Sequence, residues 1–322
     1  SLKSKMTARS LQAVDLEKSL TNTVLNLDKI DLNLYRGTNL WKPLHSRAVF
    51  GGQVVGQALV AATKTVADNM HVHSLHCYFV NAGDNRVPII HHVDRVRDGK
   101  SFCTRSVKAN QQGTPILTMQ VSFHINENGG FSHQYTMPDV PKPDDLLSSE
   151  ELTRKYLETE ELSAKHRAYL ESSLAVEVPM EMRPVNPFTF YARRIGTTVA
   201  HEPKQMIWIR ASGHLDDDPA EMHMNLHRCL AAYISDFSLL GTATLPHPDF
   251  RWGMGASLDH SMWFHTPFRA DEWMLYECES PQAGGNRALV CGRLWKQDGT
   301  LAVTVTQEGL LRPYVPQDKS KL

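Results

Sequence analysis

One carboxylate stands alone in a long uncharged stretch. Between Arg228 and Asp249 the only charged residue is Asp236. The run around it, Cys229-Leu230-Ala231-Ala232-Tyr233-Ile234-Ser235-Asp236-Phe237-Ser238-Leu239-Leu240, has almost no polar face and predicts a helix buried all round. Helical spacing puts Asp236 on a stripe with Cys229, Tyr233 and Leu240, where apolar groups pack. An ionised carboxylate buried without partners is costly, so Asp236 is expected to be hydrogen-bonded. Desolvation raises a carboxylate's pKa and donors lower it, so an Asp in such a place can serve as a base near neutral pH. It can equally be a cap or part of a buried network that fixes the helix. The residues alone leave both readings open.

Other groups that could do chemistry weigh less. Gly255-Ala256-Ser257-Leu258-Asp259 begins like a nucleophile elbow, with His260 beside it, but the final glycine is missing and Ser257 heads a strand-like run where the elbow needs a strand-turn-helix. A serine-esterase mechanism through an acyl-serine is therefore the weaker reading. His71, His73, His76, His91 and His92 are not joined by a carboxylate or cysteine pairing of metal-ligand type, and no metal is expected. Arg95, Arg97, Lys100, Arg105 and Lys108 lie along one hairpin and offer cations to phosphates, although a solvated face accounts for most of them. The sequence ends in Ser320-Lys321-Leu322, the tripeptide read at a carboxyl terminus by the peroxisomal import receptor.

The 322 residues suffice for one large or two medium domains. A balance of 34 basic against 35 acidic residues gives no global field for nucleic acid or an anionic membrane. Cys77, Cys103, Cys229, Cys278 and Cys291 form no CxxC pair and read as reduced core thiols. No apolar run reaches the length of a membrane span, and Ser1-Leu2-Lys3-Ser4-Lys5-Met6 has no hydrophobic region of the signal-peptide kind.

The elements that must position Asp236 repeat at about half the chain length. A Gly-rich helix start, Phe50 to Ala62, leads into strand-like His73 to Val80, then Pro88 to Val96, Ser101 to Ala109 and Pro115 to Phe123, with turns at Asp98-Gly99 and Gln112-Gly113. The second copy opens on strand-like Gln205 to Arg210. It continues with the helix Leu226 to Thr242 and the strands Ser257 to Phe264, Glu272 to Glu279, Arg287 to Trp295 and Leu301 to Leu310. The best register lays His76-Cys77-Tyr78-Phe79 over His260-Ser261-Met262-Trp263. Between the copies, Met137 to Pro143 is a proline-stiffened linker, and Asp144 to about Leu174 is a charged helical connector. A single helix followed directly by an antiparallel meander excludes a parallel α/β sheet. It predicts an α+β double hotdog: two antiparallel sheets, each wrapped around a central helix, joined edge to edge. The boundaries are an N-terminal extension over 1–25, a first hotdog over 26–136, the linker and connector over 137–203, a second hotdog over 204–313, and a flexible tail over 314–322.

The stretches Phe50-Gly51-Gly52-Gln53-Val54-Val55-Gly56-Gln57, Tyr233-Ile234-Ser235-Asp236, Leu258-Asp259-His260-Ser261-Met262-Trp263-Phe264-His265 and Gln307-Glu308-Gly309 resemble the acyl-CoA thioesterase II family, the C/M/P thioester hydrolases. The match runs in order from about Asn26 to Pro313. The resemblance implies a double hotdog that hydrolyses acyl-CoA to free acid and coenzyme A without a cofactor. It implies a water held by an aspartate, a hydroxyl and a glutamine, which fall on Asp236, Ser257 and Gln307. Backbone N–H groups near Gly51, Gly52 and Gln53, at the start of the other hotdog's helix, are the candidate oxyanion donors, and close packing of helix on sheet is the other role open to those glycines. Acyl-CoA is then the substrate, over a broad range of chain length that extends to bile acyl-CoA or dicarboxyl-CoA. The expected place is the peroxisome matrix, the expected partner is the import receptor, and a homodimer is open. A hotdog enoyl-CoA hydratase and a non-catalytic acyl-CoA-binding protein remain the alternatives.

Overall fold

The protein is described by a computed structural model over residues 25–44, 46–127, 129–159, 162–176, 178–190, 199–213 and 222–315. The expected N-terminal extension and the tripeptide Ser320, Lys321 and Leu322 lie outside the described residues. The first half contains β1 (Asp28–Asp31), β2 (Leu34–Gly37), α1 (Gly51–Thr63), β3 (His71–Phe79), β4 (Ile89–Asp98), β5 (Phe102–Gln111) and β6 (Thr114–His124). Two helices follow, α2 (Ser149–Leu157) and α3 (Ala164–Leu174), then β7 (Met180–Pro184), β8 (Lys204–Ala211), α4 (Met222–Ile234), β9 (Trp252–Ser257), β10 (Asp259–Phe264), β11 (Met274–Gly284), β12 (Arg287–Lys296) and β13 (Leu301–Pro313).

The strands form one antiparallel sheet in the order β1-β2-β4-β5-β6-β3-β10-β13-β12-β11-β8-β7, with β9 paired to the far end of β13. The two halves meet at β3 and β10, so what would have been two exposed edges pair with each other. This is the expected double hotdog. The expected alignment of the two repeats is out of phase with the burial of these strands. Cys77 and His260 face each other across the seam and both are buried, while His76 is exposed. Laying His76 on His260 therefore puts a solvent-facing residue on an inward one, and a one-residue slip exchanges the faces of a strand.

The helices α1 and α4 pack against each other inside the sheet. A Cβ on Gly52 would lie 2.4 Å from the Tyr233 carbonyl oxygen, and one on Gly56 would lie 3.3 Å from that of Cys229. Glycines four residues apart thus let the two backbones approach. The largest buried cluster runs through both halves without a break, and the described structure holds all five cysteines as free thiols. A second cluster, Trp208, Trp273, Leu275 and Trp295, lies under the linker, where Trp208 Nε1 donates to the Pro141 carbonyl at 2.9 Å. The helical connector consists of two helices. Ser148 caps α2 through a reciprocal pair of bonds with Glu151, and Ser163 caps α3.

The helix that carries Asp236 is shorter than its apolar pattern predicts. It stops at Ile234, and Asp236 lies in the turn that follows rather than on a helical stripe. Side chains hold that turn. Tyr276 Oη donates to the Ser235 carbonyl at 2.6 Å, and Gln205 Nε2 donates to the Ser238 carbonyl and to Thr242 Oγ1, each at 2.7 Å. Ser238 takes a positive φ of 61°, which reverses the chain into a short 3-10 helix, Leu240–Thr244. Apolar composition fixed the burial of this segment, while specific side-chain donors decided where the helix ends.

Candidate active site

Asp236 sits where the end of α4 meets the beginning of α1. The Gly52 N–H donates to Asp236 Oδ2 at 2.9 Å, and a Cβ on Gly51 would lie 2.7 Å from the same oxygen. The glycines thus allow a carboxylate from one hotdog to reach the helix start of the other, where N–H groups and the helix dipole favour negative charge. Aromatic rings close this seam: Phe237 lies 4.4 Å from Phe50 and stacks on Trp41 at 6.2 Å between centroids. Burial nevertheless wins over the donors and pushes the Asp236 pKa up to about 6, with hydrogen bonds from Gln307 and the Gly52 N–H pulling the other way.

Gln307 projects inward from β13 and is fully buried. Its Nε2 donates to Ser257 Oγ at 2.9 Å, and its side chain also hydrogen-bonds Asp236. Ser257 ends β9, which pairs Ser257 with Gly309, two residues beyond Gln307 on β13. Leu258 then leads straight into β10, so Ser257 stands between two strands and not at the strand-to-helix turn of an elbow. The Asp259 carboxylate accepts the Glu308 N–H at 2.8 Å and stabilises this bend. The structure therefore brings Asp236, Ser257 and Gln307 together around one carboxamide.

A residue that the sequence placed beside Ser257 completes the arrangement in a different role. His260, fully buried on β10, has its Nδ1 2.5 Å from Gln307 Oε1 and its Nε2 2.9 Å from Ser235 Oγ. The Asp236 carboxylate fixes the polarity of this chain, because the carboxamide must turn its NH2 toward the negative charge and its oxygen toward His260. Nδ1 then carries the proton and Nε2 accepts from the Ser235 hydroxyl. Burial lowers the His260 pKa to about 4, partly offset by Gln307, so the ring is neutral at pH 7 and has the one donor and one acceptor this chain requires. Both ring nitrogens are occupied, which removes His260 as a base for Ser257. The signal was present in the sequence: Ser235 and His260 each adjoin or neighbour a residue already singled out.

The three candidate oxyanion donors part company. The Gly52 N–H is engaged by Asp236. Contrary to expectation, the Gln53 N–H bonds the Phe50 carbonyl at 3.1 Å, and its side chain pins the segment before α1, accepting from Trp41 N at 2.8 Å and donating to the Asn39 carbonyl at 2.7 Å. Gly51 is left as the N–H beside the carboxylate. The basic hairpin also changes. Arg105 is 1% exposed, and its guanidinium bonds Thr65, the Arg97 and Thr104 carbonyls and Asp98, so it is a core strut with nothing left for a phosphate.

Comparison with known proteins agrees with the fold and points to a family. A family model described as acyl-CoA thioesterase matches residues 177–310, and one for the acyl-CoA thioesterase N-terminal domain matches residues 39–124. The crystal structure of a hot dog fold protein of unknown function from Alicyclobacillus acidocaldarius is 16% identical and superposes with a TM-score of 0.66 over 91% of this chain and 98% of its own. An acyl-CoA thioesterase II, TesB2, from Mycobacterium marinum is 39% identical, with a TM-score of 0.69 over 90% of this chain and 97% of its own. The fold and its relatives define a hotdog thioester hydrolase. Acyl-coenzyme A thioesterase 8 of Mus musculus is 52% identical across 96% of this chain and 93% of its own length. The chain belongs to the acyl-CoA thioesterase II family and is an acyl-CoA thioester hydrolase.

Proposed function

We propose that Asp236, Ser257 and Gln307 hold the hydrolytic water and that Asp236 is its base. The observation that carries this is the Gln307 carboxamide, clamped by His260 at its oxygen and turned toward Asp236 and Ser257 at its nitrogen. A water in contact with Asp236 and Ser257 Oγ donates its proton to the carboxylate and attacks the thioester carbonyl. A pKa near 6 keeps Asp236 ionised at neutral pH and close enough to that pH to act as a base. The oxygen of the tetrahedral intermediate takes up charge at the start of α1, where Gly51 N–H is the donor. Collapse breaks the carbon–sulfur bond, and the proton held by Asp236 passes to the departing thiolate. Free acid and coenzyme A leave, and the carboxylate is restored.

The substrates under this reading are fatty acyl-CoA esters of broad chain length, with bile acyl-CoA and dicarboxyl-CoA to be tested beside them. The place is the peroxisome matrix, reached through the import receptor. Ser320-Lys321-Leu322 is the feature that supports this. Release of thiol from acyl-CoA by wild type and by Asp236→Asn tests the chemistry, and full activity in the variant overturns it. A fluorescent fusion lacking Ser320 to Leu322 tests the location; punctate peroxisomal signal from it would mean that another signal carries the protein in.

A further inference from the structure

A surface recess of about 430 Å³ opens beside the start of α1 and has the chemistry of an anion site. Its walls include Lys42, Arg47 and Arg86, with Asp84 as the single carboxylate, so the local charge is 3 − 1 = +2. Asp84 is already matched: Arg86 forks onto it at 2.7–3.2 Å, which also fixes the guanidinium in place. Lys42 donates to the Ser46 carbonyl at 3.4 Å and lies within Coulombic reach of Asp84, which already holds the Arg86 fork, and Arg47 has no carboxylate partner among the described residues. Several arginines elsewhere are paired with carboxylates, as with Arg36 to Asp28, Arg210 to Glu181, Arg287 to Glu308 and Arg293 to Glu279. In this recess three cations face one carboxylate.

Two chain segments tie the recess to the catalytic seam. Lys42 follows Trp41, whose ring stacks on Phe237, the neighbour of Asp236. Gly83, in the recess wall, accepts the Val49 N–H at 2.9 Å, and Val49 lies two residues before Gly51 at the Asp236 carboxylate. At about 3.5 Å per residue, these paths put the recess on the order of 10–15 Å from the reacting carbonyl. The thiol half of an acyl-CoA carries its diphosphate and 3′-phosphate at the far end of a flexible pantetheine arm, so a phosphate site is required away from the thioester and not at it.

We propose that Lys42, Arg47 and Arg86 seat the phosphates of coenzyme A, with Arg47 and Lys42 as the main charge partners. The inference rests on acyl-CoA being hydrolysed at Asp236 and names where its leaving group is held. Guanidinium and ammonium groups bind phosphate oxygens by charge-assisted bonds, and Arg86, held by Asp84, offers a preset donor on the opposite wall.

The test compares one acyl group carried by coenzyme A and by pantetheine, which lacks the nucleotide phosphates. Wild type should prefer the CoA ester in kcat/KM. In the Lys42→Ala/Arg47→Ala double variant and in Arg47→Glu that preference should shrink by about ten-fold or more, through KM and not kcat. Adenosine 3′,5′-bisphosphate should inhibit the wild type competitively against acyl-CoA and lose potency to a similar degree in both variants. An unchanged CoA-to-pantetheine ratio in both variants overturns the phosphate seat while leaving the water-activation scheme untouched. Should Asp236→Asn retain full activity while the ratio collapses, the scheme fails and the seat stands. Thermal melting accompanies each variant; if the double variant melts early, the ratio for Arg47→Glu decides alone.

Discussion

Each hotdog buries a histidine against a glutamine, and the two pairs have different consequences. In the first, His91 on β4 lies 3.3 Å from Gln57 on α1; in the second, His260 on β10 lies 2.5 Å from Gln307 on β13. All four residues are fully buried, and burial keeps both imidazoles neutral, with pKa values lowered to about 3 and about 4. In the His91 pair the second ring nitrogen is idle: His91 Nδ1 has no hydrogen-bond partner among the described residues. The His260 pair is one link in a chain from the Ser235 hydroxyl to Ser257 and Asp236. A buried His–Gln pair is therefore not a site by itself. What makes the second one a candidate site is a carboxylate at its open end and the helix start of the other hotdog facing that carboxylate.

Removing the carboxylate should break the comparison most severely. Asp236→Asn should lower kcat by about two to four orders of magnitude, the range for losing a general base, with substrate binding retained. In the wild type, kcat/KM should rise with pH through about 6, where Asp236 ionises. The same shift makes a stability prediction of opposite sense. Because the folded-state pKa lies above the ordinary 3.8, the native state holds the proton more tightly, and stability present below pH 4 is lost as pH rises through 6. Two pKa units correspond to roughly 3 kcal/mol, so the Asn variant should melt above the wild type at pH 7 and the difference should vanish near pH 4. Equal melting at both pH values would mean that the carboxylate is not desolvated.

Smaller losses should follow along the chain of hydrogen bonds. Gln307→Ala and Ser257→Ala should each reduce kcat by about ten- to a hundred-fold, because the surviving groups still orient the water in part. His260→Leu should cost about three- to thirty-fold, since it touches no substrate and acts by holding the carboxamide. His260→Asn, whose own amide can donate to Gln307 Oε1, should recover part of that loss with KM little changed. If His260→Leu and His260→Asn were equally impaired, packing and not the hydrogen bond to Gln307 would be the role of His260.

The fold was largely legible because its signals are local. Strand alternation, the turn at Gln112-Gly113 and the first apolar helix lie where the pattern puts them. β1, β2, β7 and β9 were not legible: three of the four have five residues or fewer, and β9 is mostly exposed, so they carry little periodicity. Asp236 was legible as a lone charge, but its position past the end of α4 depends on Tyr276 and Gln205, from distant strands. The convergence of Ser257 and Gln307 on it is likewise a matter of sheet register, which no spacing within either segment reveals. Their proposed roles came into view through family resemblance, whereas the grip of His260 on Gln307 became visible only through geometry.

The smallest expected effect concerns the first hotdog's pair. His91→Leu removes a hydrogen bond to Gln57 but also a buried ring nitrogen without a partner, and the two terms offset to within about 1–2 kcal/mol at neutral pH. Acid should separate them. The His91 pKa is depressed in the folded state, so the stability its neutral form contributes is complete above the ordinary value of 6.5 and is lost as pH falls toward 3. A leucine carries no such proton, and the variant's melting temperature should gain on the wild type steadily between pH 7 and pH 4. Its kcat at pH 7.5 should stay within about two-fold, because His91 sits on β4, which β5 and β6 separate from the seam strand β3. A loss comparable to that of His260→Leu would show that the first hotdog's pair is coupled to the reaction through α1, and the distinction between a structural half and a catalytic half would fall.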